Sequence, residues 1–408
     1  MNAYCLGLLL DDPPPPKGCQ VLDEMERALT GHSNYMILMA RGSGKSSYVE
    51  CATAFAMATG LQKFTVIVSA NQKASTNMMN DLWRMIAEPD TPFAQDYPGV
   101  CLPFQLCNGS IRRRQLYRGL STELSRNAQQ IVFPRLQDEN GEELPTSGSV
   151  IAVRGIGSGI RGMKKGTLRP SLVLLDDLQD SETAENPESV EKLLQIIRKD
   201  VMNLGGKQRL SILQTATPIC PDDLVEQIRA DRNWKTTTFP GIISWPKNMD
   251  LWDRYFKIYD DELATEAPHD GSLAYYRENR EAMDEGSEVF NPSRYSEKDG
   301  HISAIQKLLE QRKAIGPAAF EAEFQMKPVK YILALDVSPK VVANRLNGSP
   351  MGTAPDGFTF TVASTDLNLS YAMTTVVVAF KRDMTACVLD HFVRKVSVDS
   401  KLPEAEYA

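Results

Sequence analysis

Tyr35-Met36-Ile37-Leu38-Met39-Ala40-Arg41-Gly42-Ser43-Gly44-Lys45-Ser46-Ser47 is a short apolar run that delivers a Gly-Ser-Gly-Lys-Ser turn into an Ala-rich helical stretch. Strand, turn and helix in that order make a phosphate-binding loop, because glycines let backbone N–H groups approach an anion at the helix N-terminus. In this reading Arg41, Gly42, Ser43 and Gly44 cradle the phosphates and Lys45 reaches the β- and γ-phosphates. Ser46 supplies a hydroxyl to Mg²⁺, and Ser47 closes the phosphate-binding set. ATP is the expected ligand. The GxxxxGK[ST] pattern lacks its first glycine, since Met39 occupies that place, and a plain Gly/Ser turn is the alternative. Lys45 is expected to face solvent.

A second segment strengthens the reading. Ser171-Leu172-Val173-Leu174-Leu175-Asp176-Asp177-Leu178-Gln179-Asp180 reads as a strand buried on both faces that ends in two carboxylates. Burying such a pair is costly unless it holds a metal or a water, so Asp176 is expected to hold Mg²⁺ through water and Asp177 to orient or deprotonate the attacking water. A helix N-cap would account for one Asp but not for both. A third strand, Leu210-Ser211-Ile212-Leu213-Gln214-Thr215-Ala216-Thr217-Pro218, ends in hydroxyls. Thr215 and Thr217 are placed to sense the γ-phosphate; a Pro-stopped turn is the alternative.

The 408-residue chain is long enough for two or three domains and carries 42% hydrophobic residues without a run long enough to span a bilayer. No signal pattern is expected, since Leu8 to Leu10 run straight into Asp11, Asp12 and four prolines. Seven cysteines without C-x-x-C spacing read as reduced thiols. A net charge of −7 argues against an overall basic coat but leaves room for local patches. Two segments are cationic: Arg112-Arg113-Arg114 with Arg118, and the Gly-rich stretch Arg154 to Arg169 with Arg161, Lys164 and Lys165. Either faces phosphates or is a solvated loop. Placed just before the Asp176 strand, the second reads as a working loop.

Leu61 to Ala70 reads as a strand and Gln72 to Ile86 as a helix, so residues 30–220 alternate as a parallel sheet covered by helices, an α/β fold. Trp234 to Met326 reads as charged and helical, a lid or linker. From Phe358 the character turns to β, with three strands in meander order, Phe358 to Asp366, Met373 to Phe380 and Thr385 to Asp390, which puts Asp390 at the end of a hairpin strand. The expected divisions are 1–235, 236–330 and 331–408.

These motifs resemble, in order and over nearly the whole chain, those of the large terminase subunits of tailed bacteriophages. The resemblance is carried by Ala40 to Ser46 with its embedded arginine, Leu172 to Asp177 preceded by Arg169-Pro170, Thr215-Ala216-Thr217-Pro218, Gly316 to Pro328, and the strand ending at Asp366. It implies a P-loop NTPase domain that pumps double-stranded DNA into a procapsid, a helical linker or lid, and a ribonuclease H-like nuclease that cuts with Mg²⁺ or Mn²⁺. It also implies that Arg41 contacts the γ-phosphate, that Thr215 to Thr217 couple hydrolysis to movement, and that Asp366 is the first nuclease metal ligand. The implied partners are a portal protein, a small terminase subunit and further copies of the chain in a ring, in the host cytoplasm and with no membrane. Many relatives carry Asp-Glu where this chain has Asp176-Asp177, and the shorter carboxylate would need a rearranged water. Two-metal cleavage needs several carboxylates. The nuclease is therefore expected to be incomplete here, with the later ligands beyond Ala408 and with Asp390 or Asp336 as conceivable substitutes. Arg161, ahead of Arg154, is the expected arginine acting on a neighbouring subunit, although a phosphate or DNA contact or plain surface charge would also explain it. Two other readings are a helicase-like nucleic-acid-dependent ATPase and a non-catalytic nucleotide-binding scaffold.

Overall fold

In the computed structural model the apolar run before the glycines is strand β1, Asn34–Met39, and its last four residues are buried. The structure describes residues 16–106, 116, 117, 119–265, 269–329, 348–368, 372–383 and 385–395. The arginine triplet with Arg118, and Asp336, lie outside them.

The chain divides into two compact units, Met1–Tyr331 and Ile332–Ala408. The first is built on an eight-stranded sheet of β1, β2 (Phe64–Ser69), β3 (Ser125–Asn127), β4 (Gln130–Val132), β5 (Val150–Gly155), β6 (Leu172–Asp176), β7 (Ser211–Ala216) and β8 (Trp234–Phe239). Its order is β8-β1-β7-β6-β2-β5-β4-β3. Pairings from β8 through β5 are parallel, and β4 and β3 add an antiparallel ribbon.

Side chains alternate across a strand, so an all-apolar strand feeds two cores. Ile37, Met39, Leu172 and Leu174 join one cluster, and Met36, Leu38, Val173 and Leu175 the other. The first is covered by α1 (Pro16–Thr30), α2 (Lys45–Thr59) and α3 (Gln72–Ala87), and the second by α4 (Pro187–Ile196) and α5 (Leu224–Arg229). Helix α3 starts where expected because Asn71 caps it, its side chain accepting from Ala74 N at 2.9 Å.

The segment expected to be mostly helical begins with the edge strand β8, which straddles the expected division at 235 and pairs with β1 from Asn34↔Trp234 to Met39↔Phe239. Lys235 to Thr238 look hydrophilic because an edge strand buries little besides its ends, Trp234 and Phe239. Beyond it, β9 (Ile242–Ser244) pairs with β10 (Glu288–Val289), and the helices α6 (Met249–Ala264), α7 (Asp270–Asp284), α8 (Ala304–Ile315) and α9 (Pro317–Glu323) follow. Their charged faces look outward from an aromatic core of Trp252, Tyr255, Tyr276 and Phe320. No helix among the described residues is long and apolar enough to cross a membrane.

The second unit holds an antiparallel meander of β11 (Phe360–Asn368), β12 (Ala372–Phe380) and β13 (Ala386–Lys395). Asp366 pairs with Thr374 and Asp390 with Val377. Thr374 and Val377 are three residues apart, so the two carboxylates leave the sheet on opposite faces and cannot share a metal pair. Asp390 also lies within its strand rather than at a hairpin end, because β13 runs on to Lys395. Its carboxylate accepts from His391 N at 2.8 Å.

Candidate active site

The carboxyl ends of β1, β6 and β7 bring most of the expected residues together. The sheet order puts β7 between β1 and β6, so the Thr215–Thr217 step stands between the glycine turn after β1 and the paired carboxylates. The turn itself depends on Gly42 and Gly44, whose φ values of 72° and 88° are left-handed. Gly44 caps α2 without a side chain, which leaves first-turn N–H groups of this 15-residue helix for an anion. Ser43 Oγ is buried and has no protein partner, so the cradle contains a polar atom waiting for one.

Lys45, expected to face solvent, is only 8% exposed. Its ammonium donates to Thr217 Oγ1 at 2.7 Å and lies 3.4 Å from Asp177 Oδ2, which turns it inward. Thr217 in turn donates to Met39 O at 2.8 Å, tying β7 back to β1. Ser46 Oγ donates to Asp176 Oδ2 and Thr215 Oγ1 to Asp176 Oδ1, each at 3.0 Å. A hydroxyl and a carboxylate oxygen in contact are the hard donor set that Mg²⁺ prefers, so these residues fit that ion.

Asp176 is buried, and burial first, then the neighbouring Asp177, pushes its carboxyl above the usual carboxylate range; Thr215, Ser46 and Lys45 oppose the shift. Asp177 is half exposed at the surface of a concave site. Desolvation by the surrounding protein pushes it up as well, against Lys45 and Arg41. Asp177 also holds a φ of 38°, a left-handed conformation that is strained for a residue with a Cβ.

Arg41 is engaged elsewhere. Its backbone N–H donates to Glu323 O at 2.9 Å and its guanidinium to Glu323 Oε2 at 2.7 Å. The Glu323 hydrogen bond holds Arg41 above the usual arginine range. Sequence reasoning gives Glu323 no role, although it lies in the quoted Gly316 to Pro328 segment. Beside this contact, Arg41, Gly42, Ser43, Phe290, Arg294 and Phe324 line a cavity of about 300 Å³. A separate cavity of about 330 Å³, between Lys17, Glu24 and Phe239, shares Phe290 with it and contains none of Arg41, Gly42 and Ser43.

Three expected residues stand apart. Arg154 is part of β5 and its guanidinium donates to Gln129 O and Val153 O, so it is spent on the sheet. Arg161 is 86% exposed and 4.0 Å from Asp200. Asp200 sits in the π-helix Ile197–Val201 that continues α4. Asp366 belongs to the other unit, and among the described residues no group of three His, Cys, Asp or Glu side chains is placed to hold a metal.

Glu50, one helical turn beyond Ser46, carries no signal in the sequence. Burial first, then Asp81 and Asp176, raises its carboxyl to about 7 from an ordinary 4.5. The folded state therefore keeps a proton that the unfolded state has lost between about pH 4.5 and 7, and stability falls as pH rises through that window. The loss is at most about 3 kcal/mol before solvent screening reduces it. Urea unfolding without Mg²⁺ at pH 5 and pH 8 should show the loss in the wild type and a smaller one in Glu50→Gln. Equal losses in both would remove Glu50 as the cause.

No protein-family model matches the sequence, and no curated protein matches it. Among solved structures, the ATPase domain of the Thermus phage P74-26 large terminase is similar with a TM-score of 0.39 and 11% identity, over 78% of this chain and 99% of that one, in the form that carries an arginine-to-alanine substitution. The large terminase of a second, thermophilic bacteriophage, in complex with ADP, gives 0.36 and 9%, over 94% and 69%. A hypothetical ATP-dependent RNA helicase from Sulfolobus tokodaii gives 0.28 and 8%, over 68% and 85%.

Proposed function

We propose that this chain hydrolyses ATP and uses the free energy to translocate double-stranded DNA, as the large terminase subunits do whose motif order it resembles. The observation that carries the ATPase reading is the convergence of Lys45, Thr217 and Asp177 on one side and Ser46, Asp176 and Thr215 on the other, around a turn of uncapped N–H groups. DNA as the cargo rests on the sequence resemblance.

In this reading Gly42 to Ser47 hold the phosphates through backbone N–H groups and hydroxyls, and Lys45 neutralises their charge. Ser46 and Asp176 would hold Mg²⁺, which when bound neutralises phosphate oxygens. Asp177 accepts a hydrogen bond from the attacking water and turns it toward the phosphorus. Thr215 and Thr217 feel the loss of the γ-phosphate through Asp176 and Lys45. Arg41 exchanges Glu323 for a phosphate, and the cavity beside it takes the nucleoside. Arg161 serves a neighbouring subunit in a ring, with the portal protein and small terminase subunit as the further partners. Two-metal nuclease chemistry is not assigned to the described residues, since Asp366 and Asp390 face opposite ways.

Phosphate release from Mg²⁺-ATP tests the proposal. Turnover should rise with double-stranded DNA, and mixing Arg161→Ala with Lys45→Ala subunits should recover activity above that of either alone. No release above the Lys45→Ala background rejects the ATPase, and release indifferent to DNA rejects the cargo. Failure to complement in assembled rings rejects Arg161 as the residue acting in trans.

A further inference from the structure

Strained backbone persists only where its surroundings over-determine it. At Asp177 one side is clear: Asp176 is held by Ser46 and Thr215, and Asp177 N donates to Thr215 O at 3.3 Å. On the other side Leu178 is buried and Gln179 makes a reciprocal contact with the loop that follows β7. Gln179 Nε2 donates to Asp223 Oδ2 at 2.7 Å, and Gln179 Oε1 accepts from Leu224 N at 3.0 Å.

Asp223 has no exposed surface. Its Oδ2 also accepts from Ile219 N at 2.7 Å, and its Oδ1 caps α5 by accepting from Glu226 N at 2.9 Å. A buried carboxylate is tolerated when N–H donors satisfy it, and here they come from a side-chain amide and from backbone on both sides of the acid. One amide–carboxylate pair thus joins the loop carrying Asp177 to the loop carrying Thr217. Thr217 is the residue that receives the Lys45 ammonium.

We infer that Gln179 and Asp223 are positioning residues that fix Asp177 against the Thr217–Lys45 pair, so that the water-orienting carboxylate and the phosphate-binding ammonium keep one spacing through turnover. Neither touches nucleotide in this arrangement. The inference rests on the ATPase reading above, and displacement of a catalytic group by about 1 Å commonly costs about 100-fold in rate.

Gln179→Ala should bind a fluorescent ATP analogue within about threefold of the wild type while kcat falls about 10- to 100-fold. Gln179→Glu sets two carboxylates face to face and should fall further. A kcat for Gln179→Ala within twofold of the wild type overturns the inference, as does a loss of affinity that matches the loss of rate. Hydrogen exchange reads the clamp independently of activity: Gln179→Ala should speed exchange at residues 177–180 and 219–224 by about tenfold or more. Unchanged exchange there also overturns it. A wild type that neither binds nor turns over nucleotide, yet shows clamp-dependent exchange, sinks the ATPase reading and upholds the pairing.

Discussion

Replacing Lys45 with alanine is expected to abolish nucleotide turnover and leave the fold intact. The ammonium contacts both Thr217 and Asp177, so its removal takes away the charge that would meet the phosphates and the group that opposes Asp177's rise in pKa. Losses of about 1000-fold or more in kcat follow when a positioned cation is removed from phosphoryl transfer. The fold should survive because Asp177 is half exposed and can be solvated once its partner is gone, a cost of about 1 kcal/mol. Turnover measured beside thermal unfolding checks both halves. A variant with wild-type turnover would reject the phosphate-loop assignment, and one that fails to fold would show that the buried ammonium is structural.

Asp177→Asn is expected to behave differently, keeping nucleotide affinity while losing about 100- to 10,000-fold in rate. Asparagine is the informative replacement because it tolerates the left-handed φ of 38° that most side chains resist. The backbone stays, and only the capacity to accept a proton goes. Because Asp177 is raised above the usual carboxylate range, wild-type turnover should fall as pH drops through its folded value, and Asp177→Asn should lose that limb of the profile. Equal losses of affinity and rate would make Asp177 a metal or structural residue instead. An unchanged pH profile would remove it as the group that meets the water.

The parts of the site legible in the sequence are those whose chemistry is local. Gly42 to Ser46 are adjacent in the chain, and the apolar run Leu172 to Leu175 announces a buried strand whose end must carry Asp176 and Asp177. Distance along the chain hides the rest. Nothing local says that Lys45 turns inward, because the hydroxyl that receives it belongs to Thr217 on another strand. Nothing local pairs Arg41 with Glu323 or Gln179 with Asp223. Arg154 and Arg161 look alike in sequence, and they separate only because β5 runs through Arg154 and ends at Gly155. Strand β8 reads as part of a helical segment because Lys235-Thr236-Thr237-Thr238 offers no apolar alternation, the usual mark of a strand. Asp390 reads as the end of a hairpin strand, whereas β13 continues beyond it.

The position of β1 has a consequence for how the protein is made. Asn34 pairs with Ile212 on one side and Trp234 on the other, so the strand that leads into the Gly42–Gly44 turn cannot be paired along both edges until Phe239 has been synthesised. Translation at about 5–20 residues per second places roughly 200 residues, and about 10–40 seconds, between the emergence of β1 and that of its second neighbour. Until β7 is made Met36 to Met39 present an apolar strand with both edges open, and one edge stays open until β8 follows. Non-local pairing of this kind slows folding, and unpaired apolar edges invite association. The turn between β1 and α2 is thus among the first parts of the chain to be made and among the last to take its shape.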